Sequence, residues 1–139
     1  VLFSPGEGAN PVAVERGLLL LRQLGPSSGW FVTAVANDEA SITTPEAGAT
    51  VPAAPLTVEG IGHGFEANLV ARALLAGDAT VEFDVEVTMA GSMEEAGPYS
   101  VVLDLSAAQP GDVVMILVRT GAGLETDPGE VGAIAVTIG

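Results

Sequence analysis

The chain has no cysteine and no lysine, and its 139 residues include one histidine, one tryptophan and one tyrosine. Without cysteine there is neither a disulfide framework nor a thiolate metal site. Without lysine, all the positive charge rests on Arg16, Arg22, Arg72 and Arg119, against 18 acids, for a net charge of −14. That balance argues against nucleic acid, which needs a basic face to neutralise phosphates. It argues equally against capture of anionic lipid by charge. Aromatic residues make up 4% of a chain that is 48% hydrophobic, so the core must be aliphatic, a composition suited to half-buried strands. No apolar run approaches the roughly 20 residues of a membrane helix. Near the start the longest is Leu18 to Leu21, and direct membrane insertion within this chain is not expected. The first residue is Val1 rather than methionine, so any targeting segment is expected to lie outside this sequence.

Eighteen glycines and nine prolines punctuate the chain too often for long helices. Val12 to Leu20 and Trp30 to Val35 read as two strands around the turn Gly25-Pro26-Ser27-Ser28-Gly29. Helical spacing of Leu18, Leu21 and Leu24 offers a short helix instead, but Gly17 weakens it and the turn demands a partner strand. The polar seam Asn37-Asp38-Glu39-Ala40 then divides a hairpin unit, 1–39, from a second unit, 40–139. The hairpin is expected to be the C-terminal part of an upstream small domain. In the second unit the strands come evenly: Ser41 to Thr44, Leu56 to Gly60, Ala67 to Leu75, Val81 to Thr88, Tyr99 to Leu105, Val113 to Arg119, and Ile134 to Ile138. In the fourth, Val81, Phe83, Val85 and Val87 alternate with Glu82, Asp84 and Glu86, which predicts one buried and one wet face. About seven strands with turns every 8 to 12 residues predict an all-β fold, an antiparallel immunoglobulin-like β-sandwich preceded by a β-hairpin.

The phrases that connect these strands carry a resemblance. They are Ile42-Thr43-Thr44-Pro45-Glu46-Ala47-Gly48, Pro55-Leu56-Thr57-Val58-Glu59-Gly60, Phe65-Glu66, Gly97-Pro98-Tyr99-Ser100 and Gly111-Asp112-Val113, in that order. Residues 40–139 resemble the immunoglobulin-like domain family of bacterial spore germination. The resemblance implies an extracytoplasmic all-β module of bacterial lipoproteins and germination-related envelope proteins, with no catalytic residues to carry over. One phrase departs from the family: before the last strand, Thr120 to Leu124 and Asp127-Pro128-Gly129-Glu130 replace the usual Ser-x-x-Asp-Gly. Gly29 to Val35 resembles the final strand of small cone-shaped α+β lipoprotein domains.

Six residues are candidates for interaction. His63 lies between Gly62 and Gly64, ahead of Phe65-Glu66. A His–Glu pair suits a metal or proton transfer, yet a metal wants three or four ligands, and a polar loop residue is the plainer reading. Glu66 is either a surface acid for a cation or partner, or an acid that holds its loop by accepting backbone amides, which is preferred. Asp127 and Glu130, with Asp112, are candidates for Ca²⁺, though no EF-hand spacing is present. Trp30 and Tyr99 together would stack a sugar, whereas Trp30 alone, alternating with Val32 and Ala34, reads as the hairpin's core anchor. A catalytic triad is not available with one loop histidine and no Gly-x-Ser-x-Gly elbow, and Gly60 to Gly64 lacks the lysine and helix of a phosphate loop. The expectation is a non-enzymatic module without cofactor or bound metal, in a secreted or lipid-anchored protein at the cell surface. It would act as spacer or protein-interaction domain, in some link to sporulation or germination. The rivals are an envelope polysaccharide-binding module and a calcium-stabilised adhesion module. The partner is then an envelope protein or a cell-wall glycan.

Overall fold

The structure is a computed structural model that describes residues 2–5, 13–24, 28–92, 95–121 and 129–139. The turn residues Gly25 to Ser27, Glu94, and the candidate Asp127 with its neighbour Pro128 lie outside the described residues. Eleven strands form among the described residues: β1 (Leu2–Pro5), β2 (Ala13–Leu24), β3 (Gly29–Ala36), β4 (Ala40–Thr44), β5 (Thr50–Val51), β6 (Pro55–Gly62), β7 (Asn68–Leu75), β8 (Asp78–Met89), β9 (Gly97–Asp104), β10 (Val113–Thr120) and β11 (Val131–Ile138). One sheet runs β1-β2-β3-β11-β10-β7-β8, and a smaller one runs β4-β6-β9. All pairings are antiparallel except β5 beside β11. This is the predicted all-β sandwich. The leucine-rich segment after Gly17 is strand, not helix: its backbone groups pair with β3 from Leu18↔Ala36 to Leu24↔Gly29.

The inner faces of the two sheets meet in an aliphatic core. Val58, Leu69, Leu103, Leu105, Val114, Ile116 and Val118 are fully buried, each worth about 1.5–3 kcal/mol of apolar transfer. In β9 the alternation is complete: Tyr99, Val101 and Leu103 point inward, and Ser100, Val102 and Asp104 outward. Strand β4 leaves the small sheet at Pro45, which has no amide to donate to a ladder. The chain then crosses to the large sheet, where Gly48 N donates to Ala135 O (2.7 Å) and Thr137 N to Ala49 O (2.9 Å).

Two burial expectations are corrected. In β8, Phe83 packs against the core, but Val85 and Val87 are exposed and Asp84 is half-buried. The cause is a bulge: Ala73 pairs with Asp84, and the next residue, Leu74, pairs with Glu82. Phe83 is the extra residue, and a bulge shifts the phase of a two-residue alternation. Beyond it the valines face outward, and Asp84 accepts from Asp104 N of the facing sheet at 2.7 Å. Trp30 is the second correction. It is 68% exposed, not a core anchor: the hairpin joins the large sheet beyond β11 and meets it only at Val35↔Ala133 and Ala34↔Ile134, several residues away from Trp30.

Local carboxylates fix two turns. Asp78 accepts from the Thr80 hydroxyl (2.6 Å) and amide (3.1 Å), which holds its pKa below the usual carboxylate range. Asp104 is lowered likewise by its bonds with Ser106. Gly77 beside Asp78 has φ 90°, the left-handed conformation that the predicted turn requires.

Candidate functional site

One end of the sandwich gathers the polar links. The β3–β4 link brings Asn37 and Glu39, the β6–β7 link brings His63, Gly64 and Glu66, and the β10–β11 connection brings Thr120 and Glu130. Asn37 organises the first: its Oδ1 accepts from Glu39 N (2.7 Å), an Asx turn, while its Nδ2 donates to Glu130 Oε2 at 2.5 Å. Glu130 N in turn donates to the Thr120 hydroxyl (2.8 Å), and Thr120 N donates to Glu130 O (2.9 Å). Thr120 is 3% exposed, the one buried polar residue among those described, and these bonds satisfy it.

His63 is tied to the same end twice. Its amide donates to Glu39 O (2.8 Å), and its Nδ1 lies 3.7 Å from Glu39 Oε2, an ion pair only when the ring is protonated. Glu66 follows in a single 3₁₀ turn with Phe65 and Ala67, and is exposed. Glu66 (φ 55°) and Ala67 (φ 60°) both sit in the left-handed region, a cost of roughly 1–2 kcal/mol each for L-residues. The turn persists because Ala67 is locked on both sides: its amide donates to Gly64 O and its carbonyl accepts from Ala90 N, both at 2.9 Å. Gly64 allows the loop to close, since a Cβ there would lie 2.7 Å from Asn68 O.

Of the sequence candidates, the structure therefore brings His63, Glu66 and Glu130 to one end and ties two of them into the network. Sequence reasoning missed Asn37, Glu39 and Thr120. The Asn-x-Glu spacing of an Asx turn was the available signal, and it stood inside the seam taken as a boundary. The bonds of Asn37 and Thr120 tie the converging links together, and among the described residues no nucleophile–base pair forms. Among the described residues, no three His, Cys, Asp or Glu side chains gather where they could hold a metal ion.

Trp30 and Tyr99 are not brought together. Trp30 is on β3 of the large sheet, whereas Tyr99 is on β9 of the small one and 5% exposed. The Tyr99 hydroxyl donates to Ser41 O at 2.9 Å, and burial pushes its pKa above the ordinary phenol value. Its work is to hold β4, so Tyr99→Phe is expected to cost about 1 kcal/mol. The urea midpoint should fall with the slope unchanged. An unchanged midpoint would show that the bond contributes nothing. Above this strand lies an open groove of about 560 Å³ bordered by Thr43, Glu59, Ile61, Thr88 and Ser100, with one carboxylate and no base.

Residues 39–122, more than half the chain, match the family model of the immunoglobulin-like domain of bacterial spore germination. No curated protein and no solved structure matches the chain. Domains of this family are generally non-catalytic and typically extracellular or surface-associated. Among the described residues no helix is long and apolar enough to cross a membrane.

Proposed function

The chain belongs to the immunoglobulin-like domain family of bacterial spore germination, and from that premise we propose that it is a protein-interaction module of a secreted or lipid-anchored envelope protein. The observation that carries the reading is apolar exposure. In a chain of net charge −14, Val85, Val87, Met89 and Val113 stand out on the large sheet, where a solitary sandwich would place polar side chains. The loop end supports the same reading, because among the described residues no three possible metal ligands gather there.

The hairpin has its own place in the proposal. It reaches the sandwich through Val35↔Ala133 and Ala34↔Ile134, and leaves Leu18, Leu20, Leu21 and Trp30 exposed. That excess of uncovered leucine fits the tail of an upstream small domain whose remainder covers it.

Scanning calorimetry tests the reading against its glycan and calcium rivals. Tryptophan fluorescence would report the exposed hairpin, so heat capacity is the better probe. The expected melting temperature is unchanged in millimolar Ca²⁺ and with soluble cell-wall glycans. A ligand at about 100 times its Kd adds about 2.7 kcal/mol. A rise of several degrees with either ligand would therefore replace the protein-interaction reading with that ligand's class.

A further inference from the structure

Cross-strand partners share a face of a sheet, so the register defines the outer surface of the large sheet. One row crosses six strands: Val85, Arg72, Leu117, Ala133, Val35 and Leu19. On one side of it Val87, Val70 and Val131 flank Arg119. On the other, Leu74 and Met115 stand beside Glu82. Outward faces of antiparallel sheets are normally wet and polar. This one is aliphatic over most of its width, and Val87 and Met89 at its edge are 65% and 67% exposed.

Its charge differs from the rest of the molecule. Of the chain's 18 acids, these rows hold only Glu82, which pairs with Arg72 at 3.4 Å. Two of the four arginines, Arg72 and Arg119, lie here. Two copies of a −14 chain repel through every acid-bearing surface, but this face meets its own image without unbalanced carboxylates. Its size suits a weak, reversible pair. Four strands at about 4.8 Å spacing and about 20 Å long, with one further row on the two hairpin strands, which meet the sandwich over two residue pairs, give roughly 450 Å² per copy. Two copies would bury about 900 Å², the size of a transient interface.

We propose that two copies pair face to face through the outer surface of the large sheet, an isologous contact centred on Val85, Arg72 and Leu117. The inference rests on the protein-interaction reading and names the partner as a second copy.

Sedimentation equilibrium of the full chain, from about 10 to 200 μM, is the test. A dimer is expected, tightening as NaCl rises from about 0.05 to 0.5 M because salt screens the repulsion of two acidic bodies. Val87→Glu, or Met89→Glu, should weaken the dimer at least tenfold and leave the melting temperature of the monomer unchanged. Both sites are on an exposed edge strand, so folding is not at risk. Leu20→Glu is the control: Leu20 lies on the opposite face, in register with Ala34 and hence Ile134, and should leave the dimer intact. If Leu20→Glu breaks the dimer and Val87→Glu does not, association runs through the hairpin and the proposal is overturned. A monomer at every concentration and salt, or a complex only with an added acidic protein, also overturns it. Either result leaves the protein-interaction reading standing, which the calorimetry judges separately.

Discussion

Gly132→Ala is expected to remove about 3 kcal/mol or more of stability, and to lower the melting temperature by about 10 °C. Gly132 lies in β11 of the large sheet, where the backbone of β4 from the small sheet passes close against it. A Cβ there would overlap the carbonyl oxygen of Ala40, lie 2.8 Å from its carbon, and crowd Val118 Cγ2 at 3.3 Å. The far side of the same stretch is equally tight. A Cβ on Gly60 of β6 would overlap the Ser41 carbonyl oxygen and come within 2.7 Å of the Tyr99 hydroxyl. The first residues of β4 are thus held between two glycines of opposite sheets, and Ala40 is fully buried. The overlapping oxygens are backbone atoms of residues paired in the β4–β6 ladder, so they yield only if the ladder shifts. With total stability of about 5–15 kcal/mol for such a domain, one methyl consumes a large share. Gly111→Ala is the comparison, because Gly111 has φ 92° but open space around it, so only its conformation is penalised, by about 1 kcal/mol. If urea unfolding gives the two variants equal losses, close approach of the sheets is not what Gly132 provides.

The sequence made the sandwich legible wherever local pattern and tertiary environment agree. Strand β9 reads correctly because one face meets the core and the other meets water along its whole length, so a period of two has a single cause. Strand β8 does not. Its alternation from Val81 to Thr88 is unbroken in sequence, while the bulge that reverses its phase after Phe83 is set by pairing with β7 and leaves no local mark. Trp30 was misplaced for a related reason: alternation tells which residues share a face, not whether anything covers that face. The two-residue β5 is too short for periodicity, and parallel pairing with the last strand makes it a strand. At the loop end, His63, Glu66 and Glu130 were legible as polar loop residues. Their meeting with Asn37 and Thr120 depends on which links the topology brings to one end, and that is non-local.

Leu69→Ala should cost about 4 kcal/mol, near the top of the range for a buried leucine, whereas Val87→Ala should cost about 0.5 kcal/mol or less at micromolar concentration. Leu69 is the second residue of β7 and is fully buried. Its Cδ1 lies against Gly62, where an added Cβ would approach it to 2.7 Å and the Ala90 methyl to 2.8 Å. The residues around the deleted isobutyl group therefore include a glycine and an alanine, which have no side chain to swing into the space. Cavity cost rises with the volume left unfilled, so a wall that cannot relax sets the larger penalty. Val87 belongs to the same antiparallel pair, with Val70 as its partner, yet lies beyond the bulge on the outward face. Removing its methyls takes little from water that was not already wet. Chemical denaturation of the two variants separates the arrangements. A loss above 2 kcal/mol at Val87 would restore the straight alternation of β8 with a buried valine face. A small loss there beside a large one at Leu69 shows that the bulge turns an apolar run outward, which is the premise of the paired face.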